Sequence, residues 1–242
     1  MKAPKSLNSA SLLAGSLIVT LSTISFSKVT LAQSIEPPAG LPAPQTTTSG
    51  GSRPSDRACV QSSKSMPLTA IASRQSVGLT MHDRPTVWVY LSPTQAKTLE
   101  FSLFDQNRKG IYQTTIDINN RTGYVAIAIP SSAPALNQNQ PYYWTAALVC
   151  NPNDRTSDWI TGGWIQQQAI NPVLQQQLNR ATVIEQIRLI AKAGFWYEAV
   201  DTYLRSQQAN PNDPQLTQVW AELVRTGNLK GLISQANTSY KD

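Results

Sequence analysis

Few residues of the chain have the type and spacing for acid–base or nucleophilic chemistry. His82 is the only histidine, and it lies in a His-Asp-Arg-Pro stretch between two predicted strands, so a Ser-His-Asp or Cys-His site would have to use it. Asp105 and Asp117 flank a predicted hairpin, and nothing holds their carboxyl groups at the separation that a glycosidase pair needs. No dinucleotide-binding glycine motif, P-loop or HExxH motif occurs. The sequence therefore predicts no catalytic residue, no cofactor and no enzymatic activity.

A polar loop at 151–158 contains oxygen ligands that could in principle bind calcium. Asn153, Asp154 and Asp158 supply them, but their spacing fits no EF-hand loop and Arg155 would repel the ion. The alternative is a plain turn in which Asp154 and Arg155 form a surface ion pair of little energetic weight. The sequence favours the turn and predicts no metal site.

The two cysteines, Cys59 and Cys150, stand near the ends of the strand-rich part of the chain. No CxxC spacing supports the alternative of a reactive thiol pair. In an oxidising compartment we expect a disulfide, which by the chain-entropy model stabilises the fold by roughly 4 kcal/mol for a loop of about 90 residues.

Aromatic side chains are the remaining candidates for ligand binding. Most of the six tryptophans fall on apolar stripes that predict core packing. Trp159 follows Asp158, and Trp196 stands between Phe195 and Tyr197, so we expect these positions to be partly exposed. The candidate binding residues are therefore Trp159, Phe195, Trp196 and Tyr197.

The N-terminus predicts export. Lys2 and Lys5 precede an apolar stretch, and a small-x-small site ends at Ala32, so residues 1–32 are predicted to be a cleaved signal peptide. The alternative is an uncleaved membrane anchor, which serines and threonines within the stretch disfavour. Residues 33–58 are rich in Pro, Ser and Thr and are predicted to form a disordered linker. We expect the protein in the periplasm, in the cell envelope or outside the cell.

The net charge of +6 does not indicate a class of binding partner. Lys2, Lys5 and Lys28 lie within the predicted signal peptide, so the mature chain carries about +3 without a run of basic residues. We therefore expect neither nucleic-acid binding nor stable membrane insertion after signal cleavage.

Residues 59–170 have the periodicity of strands separated by turns. Thr86–Leu91 is a nearly continuous apolar run, and Leu99, Phe101 and Leu103 alternate with polar residues. This pattern predicts a mainly β fold, an antiparallel β-sandwich of the immunoglobulin or fibronectin kind. The pair Gly162-Gly163 predicts a β-bulge in the last strand.

Residues 171–238 switch to helical spacing. One apolar stripe runs from Leu174 to Ala191 and predicts a single helix that Gly194 ends, and two further helices follow. Ala199, Tyr203 and Pro211 resemble part of a tetratricopeptide repeat, of period ~34 residues, in a degenerate form. Because fewer than three such repeats rarely stand alone, we expect this tail to dock on the sandwich or on a partner.

An ordered set of motifs resembles one known family, the secreted cyanobacterial proteins grouped as domain of unknown function 928. The resemblance covers Cys59 to Gly227 and rests on Cys59, Pro67 to Ala70, Gly78 to Thr80, His82, Arg84 to Tyr90, Tyr142 to Trp144, Cys150 to Pro152, Asp154 to Thr156, Gly163 to Ile165 and Gly194 to Ala199. The chain departs from the family at Asp83-Arg84, inserted between His and Pro, and at Thr156, where Ser is usual. The resemblance implies the architecture and implies no activity, cofactor or catalytic residue.

Three functions remain open at this point. The first is a cell-envelope adaptor in which the sandwich is a disulfide-locked scaffold and the helical tail binds a protein partner. The second is a module that binds or hydrolyses envelope carbohydrate through exposed aromatic residues and a carboxylate pair. The third is a structural, oligomeric component of the envelope.

Overall fold

Eight strands precede four helices in the part of the chain that the structure, a computed structural model, describes, namely Cys59 and residues 66–229. The predicted signal peptide and linker, and the end of the tail beyond 229, lie outside the described residues. The strands are β1 Leu68–Ala70, β2 Gly78–Thr80, β3 Thr86–Leu91, β4 Thr98–Phe104, β5 Gly110–Asp117, β6 Gly123–Ala128, β7 Pro141–Val149 and β8 Trp159–Gln167. The helices are α1 Pro172–Leu178, α2 Val183–Lys192, α3 Trp196–Ala209 and α4 Pro214–Thr226.

The strands form two sheets, one of three strands in the order β1-β3-β6 and one of five in the order β2-β8-β7-β4-β5. The mainly β class is therefore confirmed. Their neighbours are antiparallel with one exception, because β2 runs parallel to β8. The prediction of an all-antiparallel arrangement is wrong at this edge. β2 follows β1 in the chain but pairs with β8, the last strand, so no hairpin turn joins the two and sets them antiparallel. The two sheets are joined directly where the Ala70 N–H donates to Thr161 Oγ1 at 3.0 Å.

The core takes its residues from the alternation visible in the sequence. Leu99, Phe101 and Leu103 of β4 are fully buried, as is Trp144 of β7. Burying aromatic and branched side chains from adjacent strands is the main source of stability of such sheets. The same alternation places polar or half-buried residues on the opposite face of β4 and β7, with the buried Ala147 as the exception on β7.

The two glycines of β8 allow close approach instead of forming a bulge. The pairing of Trp144 with Gly163 and of Thr145 with Gly162 runs without a shift, so the predicted bulge at this pair is wrong. A Cβ atom at Gly162 would lie 2.1 Å from the carbonyl oxygen of Trp144. The register shift lies instead in the pairing of β4 with β5, where Leu103 is opposite Tyr112 but Phe104 is opposite Gly110.

The helical segment contains one more helix than predicted. The single stripe expected from Leu174 to Ala191 is divided between α1 and α2, because Thr182 caps α2. The Thr182 hydroxyl accepts from the Glu185 N–H, and the Glu185 carboxylate accepts from the Thr182 N–H at 2.8 Å, a reciprocal capping box. Gly194, with φ of +87°, ends α2 as predicted.

Helix α3 docks the helical segment on both sheets. The Trp196 indole N–H donates to the Ile71 carbonyl at 2.9 Å. The Tyr197 hydroxyl accepts from the Trp144 indole N–H at 2.7 Å and donates to the Trp164 carbonyl at 3.0 Å. The tail therefore docks on the sheets, the first of the two alternatives that its shortness predicted.

The Cys59–Cys150 disulfide is present, with Cα atoms 5.1 Å apart. It attaches the chain before β1 to the end of β7. The Cys59 carbonyl also accepts from the Thr94 hydroxyl at 2.6 Å, so the cysteine is held on its main chain as well. Among the described residues, no helix combines the length and the hydropathy that crossing a membrane requires.

Candidate functional site

Helix α3 and the turn between β2 and β3 enclose a polar pocket of about 370 Å³, which we call the junction pocket. Its volume is at the lower end of the range found for sites of small ligands. The pocket is lined by His82, Arg84, Pro85, Thr86, Tyr197, Glu198, Asp201 and Thr202. It exists only because the helical segment docks on the strands, since half of its lining comes from α3.

Glu198 is the buried acid of the junction pocket. It occupies the third position of α3 and is only 9 % exposed. Its Oε1 accepts from the Thr80 hydroxyl and from the Met81 N–H, the latter at 2.9 Å, which joins α3 to the end of β2. Its Oε2 is buried and has no hydrogen-bond partner among the described residues. One oxygen of the carboxyl group is therefore structural, and the other is buried and unpaired within the described part of the chain.

Burial raises the pKa of Glu198, because the charged form loses its hydration. The hydrogen bonds from Thr80, from Met81 and from its own N–H, together with the charge of nearby His82, act in the opposite direction. Burial outweighs them, so this carboxyl keeps its proton to a higher pH than an exposed glutamate. It can therefore donate or accept a proton at Oε2, depending on what lies in the pocket.

Asp201 lies one turn further along α3 and already has its partners. It accepts from the Trp88 indole N–H at 2.9 Å and from the Arg205 guanidinium at 2.8 Å. These bonds tie the helix to β3 and balance the charge of the aspartate. Asp201 is therefore a docking residue that lines the pocket with its charge offset by Arg205.

The turn between β2 and β3 supplies the basic side chains of the pocket. Arg84 pairs with Asp83 at 3.1 Å and donates to the Ala133 carbonyl at 3.4 Å, while its buried Nε has no partner among the described residues. His82 is exposed, and no hydrogen bond of the described part of the chain joins its ring to a serine, a cysteine or a carboxylate. The residues of the pocket wall therefore include one acceptor and one donor that are buried and unpaired among the described residues, and no assembled nucleophile.

Comparison with known proteins places the chain in a family. The pattern of the family described as Domain of Unknown Function (DUF928) matches residues 48–237, which is most of the chain. The chain belongs to the DUF928 family. A search of curated proteins gave no match.

Solved structures with similarity to the DUF928 chain include a fibronectin type III domain, the fn3 domain of human collagen alpha-1(XX) chain. It has a TM-score of 0.27 at 10 % identity, over 46 % of this chain and 90 % of that one. The β-glucuronidase of Parabacteroides merdae has a TM-score of 0.23 at 11 % identity, over 46 % of this chain and 20 % of the enzyme. β-Glucuronidase 3 of Bacteroides uniformis has a TM-score of 0.25 at 8 % identity, over 62 % and 27 %. At these scores the similarities carry no argument about activity.

Three of the four aromatic binding candidates in the DUF928 chain are part of its core. Phe195, Trp196 and Tyr197 are 4 %, 5 % and 2 % exposed, so the expected exposure is wrong for them. Their burial follows from the docking of α3, which the local sequence does not reveal. Tyr197 reaches the wall of the junction pocket, and Trp159 is half-buried against the core with an indole N–H that lacks a partner among the described residues.

The polar loop of the DUF928 chain uses its acids for local structure. Asp154 accepts from the Thr156 N–H and caps a short helical turn, whereas Arg155 pairs with Glu100 at 3.2 Å and with Asp158. The predicted ion pair between Asp154 and Arg155 is therefore wrong, because Arg155 pairs with Glu100 of β4 and with Asp158, while Asp154 accepts from Thr156. In the described part of the chain no three candidate ligands come together around a metal position.

A row of aromatic side chains on the outer face of the five-stranded sheet was missed at the sequence level. Phe104, Tyr143 and Trp164 are direct cross-strand neighbours, with ring centroids 6.4 Å and 5.2 Å apart, and all three are half-buried. The Arg108 guanidinium lies 5.9 Å from the centre of the Tyr143 ring. Correct register of β4, β7 and β8 was the information needed to find this aromatic row.

Proposed function

We propose that this DUF928 protein is an exported, non-catalytic binding protein of the cell envelope that acts as an adaptor for a protein partner. The observation that carries the proposal is a pair of buried polar atoms without a partner among the described residues, Glu198 Oε2 and Arg84 Nε, on two residues that line the junction pocket. Buried polar groups are nearly always hydrogen-bonded, so such a pair indicates a ligand that supplies both a donor and an acceptor. A protein segment carries both in every peptide unit.

The hydrogen bonds around the pocket favour binding over catalysis. Asp201 is engaged by Trp88 and Arg205, and one oxygen of Glu198 is engaged by β2. A nucleophilic or general-base mechanism needs a nucleophile and a base within hydrogen-bonding reach. The exposed ring of His82 has no such neighbour among the described residues.

Export is supported by two independent features. The basic residues, the apolar stretch and the small-x-small site of the N-terminus are typical of secretory signals. The Cys59–Cys150 disulfide is of the kind that persists in oxidising compartments.

The architecture suits an adaptor. We infer that the two sheets form a fibronectin-like sandwich and that α2, α3 and α4 are one and a half degenerate tetratricopeptide units. Arg188 of α2 forms a two-point ion pair with Glu222 of α4, with contacts of 2.9 Å and 3.0 Å across a spacing of 34 residues. That spacing is the ~34-residue period of such repeats.

The test of the adaptor proposal is cross-linked capture from an envelope extract, with the captured protein identified and its affinity measured with the purified pair. Thr202→Trp fills the junction pocket, and Thr217→Trp adds the same side chain to an exposed position of α4 as the control. A protein that binds the wild type and Thr217→Trp but not Thr202→Trp supports the proposal. A partner that binds all three alike, or the absence of any protein partner, contradicts it.

Carbohydrate binding is the second candidate, because the aromatic row of Phe104, Tyr143 and Trp164 could stack against sugar rings. The matching experiment is retention on envelope polysaccharide. Retention that Trp164→Ala abolishes and Thr202→Trp leaves unchanged would favour this function and place it on the sheet.

A further inference from the structure

We propose that the junction pocket binds a primary ammonium group, that of a lysine side chain of the partner, with Glu198 Oε2 as its acceptor. This inference rests on the proposed adaptor function, and it names the group that the pocket recognises. It follows from three observations: the charges of the pocket wall, the single unpaired oxygen of Glu198 among the described residues, and the different shapes of the lysine and arginine head groups.

The charges lining the pocket leave Glu198 as the carboxyl group that has no ion-pair partner among the described residues, although the charge of His82 lies nearby. Arg84 is offset by Asp83 at 3.1 Å, and Asp201 is offset by Arg205 at 2.8 Å. Among the described residues, no lysine or arginine forms an ion pair with Glu198. Buried carboxylates are normally paired, so the missing cation is expected to come from a ligand.

The single unpaired oxygen of Glu198 favours an ammonium group over a guanidinium group as the ligand. A guanidinium binds a carboxylate best through two parallel hydrogen bonds, which need both oxygens. Oε1 of Glu198 is already occupied by Thr80 and Met81, so a ligand finds a single oxygen. The ammonium of lysine is a compact point charge with three N–H donors and suits one acceptor.

The rest of the wall suits the remainder of a lysine residue. Thr86 and Thr202 also line the pocket and carry hydroxyl groups, which are acceptors of the kind that the other ammonium N–H groups need, and Pro85 adds an apolar residue to the wall beside the carbon stem. The open Nε of Arg84 is a donor for a peptide carbonyl. Burial raises the pKa of Glu198, and a bound cation would offset that effect by favouring the charged carboxylate.

The first experiment uses two small probes with the full chain, Nα-acetyl-lysine methylamide and Nα-acetyl-norleucine methylamide, and measures saturable binding by NMR titration. The norleucine probe has the apolar stem without the charge. We expect only the lysine probe to bind, and we expect Glu198→Gln to weaken it at least tenfold, because Gln keeps the acceptor for Thr80 and Met81 but carries no charge.

Asp117→Asn is the matched control, because it removes one acidic charge from an exposed position on β5. It should bind the lysine probe like the wild type. Equal binding of the two probes, or equal affinity of wild type and Glu198→Gln, would overturn the ammonium site. A loss of affinity in Asp117→Asn equal to that in Glu198→Gln would also overturn it, because net charge alone would then explain binding.

A second experiment separates this inference from the adaptor proposal by acetylating the lysines of the envelope extract before capture. Loss of the captured partner on acetylation supports both. Capture that survives acetylation but is lost in Thr202→Trp leaves the adaptor proposal intact and overturns the lysine assignment. If no partner is captured, the adaptor proposal fails and the probe titration still decides the ammonium site.

Discussion

Glu198 combines two roles that usually fall to different residues. Through Oε1 it binds the first turn of α3 to the end of β2. The N-cap residue of this helix, Phe195, makes no capping hydrogen bond with its side chain. Its Oε2 is buried without a partner among the described residues, and the residue lines the junction pocket. A carboxyl group held in this way costs desolvation energy when it ionises, so the same residue links the docking of the helix to pH.

The first prediction concerns that link. Because burial raises the folded-state pKa of Glu198 above the ordinary value of 4.5, the folded protein holds this proton more tightly than the unfolded chain. The tighter binding of this proton adds to the free energy of unfolding. Glu198 makes this contribution in full below pH 4.5 and loses it as the pH rises through its folded-state pKa. Glu198→Gln should lack this loss, as measured by urea unfolding at a series of pH values. Asp117→Asn should follow the wild type, and parallel curves for wild type and Glu198→Gln would contradict the prediction.

The second prediction concerns Tyr197, whose hydroxyl lies between two buried partners. Tyr197→Phe leaves the Trp144 indole N–H and the Trp164 carbonyl without their hydrogen bonds. Each buried group left unsatisfied costs about 1 to 3 kcal/mol, so we expect the free energy of unfolding to fall by about 2 to 3 kcal/mol. Tyr143→Phe removes a hydroxyl from a half-buried ring on the sheet face and should cost less than about 0.5 kcal/mol. Chemical denaturation measures both, and equal losses would count against the buried hydrogen bonds.

At the scale of residues, the sequence revealed the pocket only in part. His82 and the Phe195 to Tyr197 run were visible as unusual residue types. Glu198 was not recognised as a site residue, because its role depends on hydrogen bonds from Thr80 and Met81, which lie 118 and 117 positions earlier in the chain. An acid in the first turn of a helix is ordinary by local rules, and only the docking of that helix makes it special.

At the scale of elements, β3 and β4 were predicted from their apolar residues. Thr86–Leu91 is β3, and the alternating Leu99, Phe101 and Leu103 lie within β4, since one buried face imposes a period of two. The short strands β1 and β2, of three residues each, are too short to have a period. The break between α1 and α2 was missed because Leu174 to Ala191 stays in helical phase across it. The pattern Thr182-x-x-Glu185 was the available signal, since it is a capping box.

The third prediction belongs to the contact between β7 and β8. A Cβ atom at Gly162 would lie 2.1 Å from the Trp144 carbonyl oxygen, and that oxygen belongs to a paired strand that cannot shift alone. We expect Gly162→Ala to lower the free energy of unfolding by about 3 kcal/mol, the upper end for overpacking. Gly110→Ala is the control, because its new Cβ would have no neighbour closer than 3.8 Å. Similar midpoints of denaturation for the two variants would show that β8 tolerates a side chain there.

At the scale of the whole molecule, the helices pack directly against the strands and do not form a separate tail. Trp196 donates to Ile71, Trp88 donates to Asp201, and the rings of Tyr124 and Trp220 meet at 5.6 Å. These contacts join α3 and α4 to residues at or next to three different strands. Both sides of the junction pocket are therefore held by hydrogen bonds between the helices and the strands.

The last prediction follows from this mutual support. Strands and helices should unfold in one cooperative transition, so near-ultraviolet and far-ultraviolet circular dichroism should give coincident midpoints. Trp196→Ala removes a buried indole that contacts Gly227 and bonds to Ile71, and it should lower both midpoints together, with a loss of about 3 to 5 kcal/mol. Trp164→Ala, on the half-buried outer face of β8, should cost less because its indole N–H has no partner among the described residues to lose. If Trp196→Ala separated the two midpoints, the helices would be an independent unit, and the junction pocket would be a contact between two movable parts rather than a preformed site.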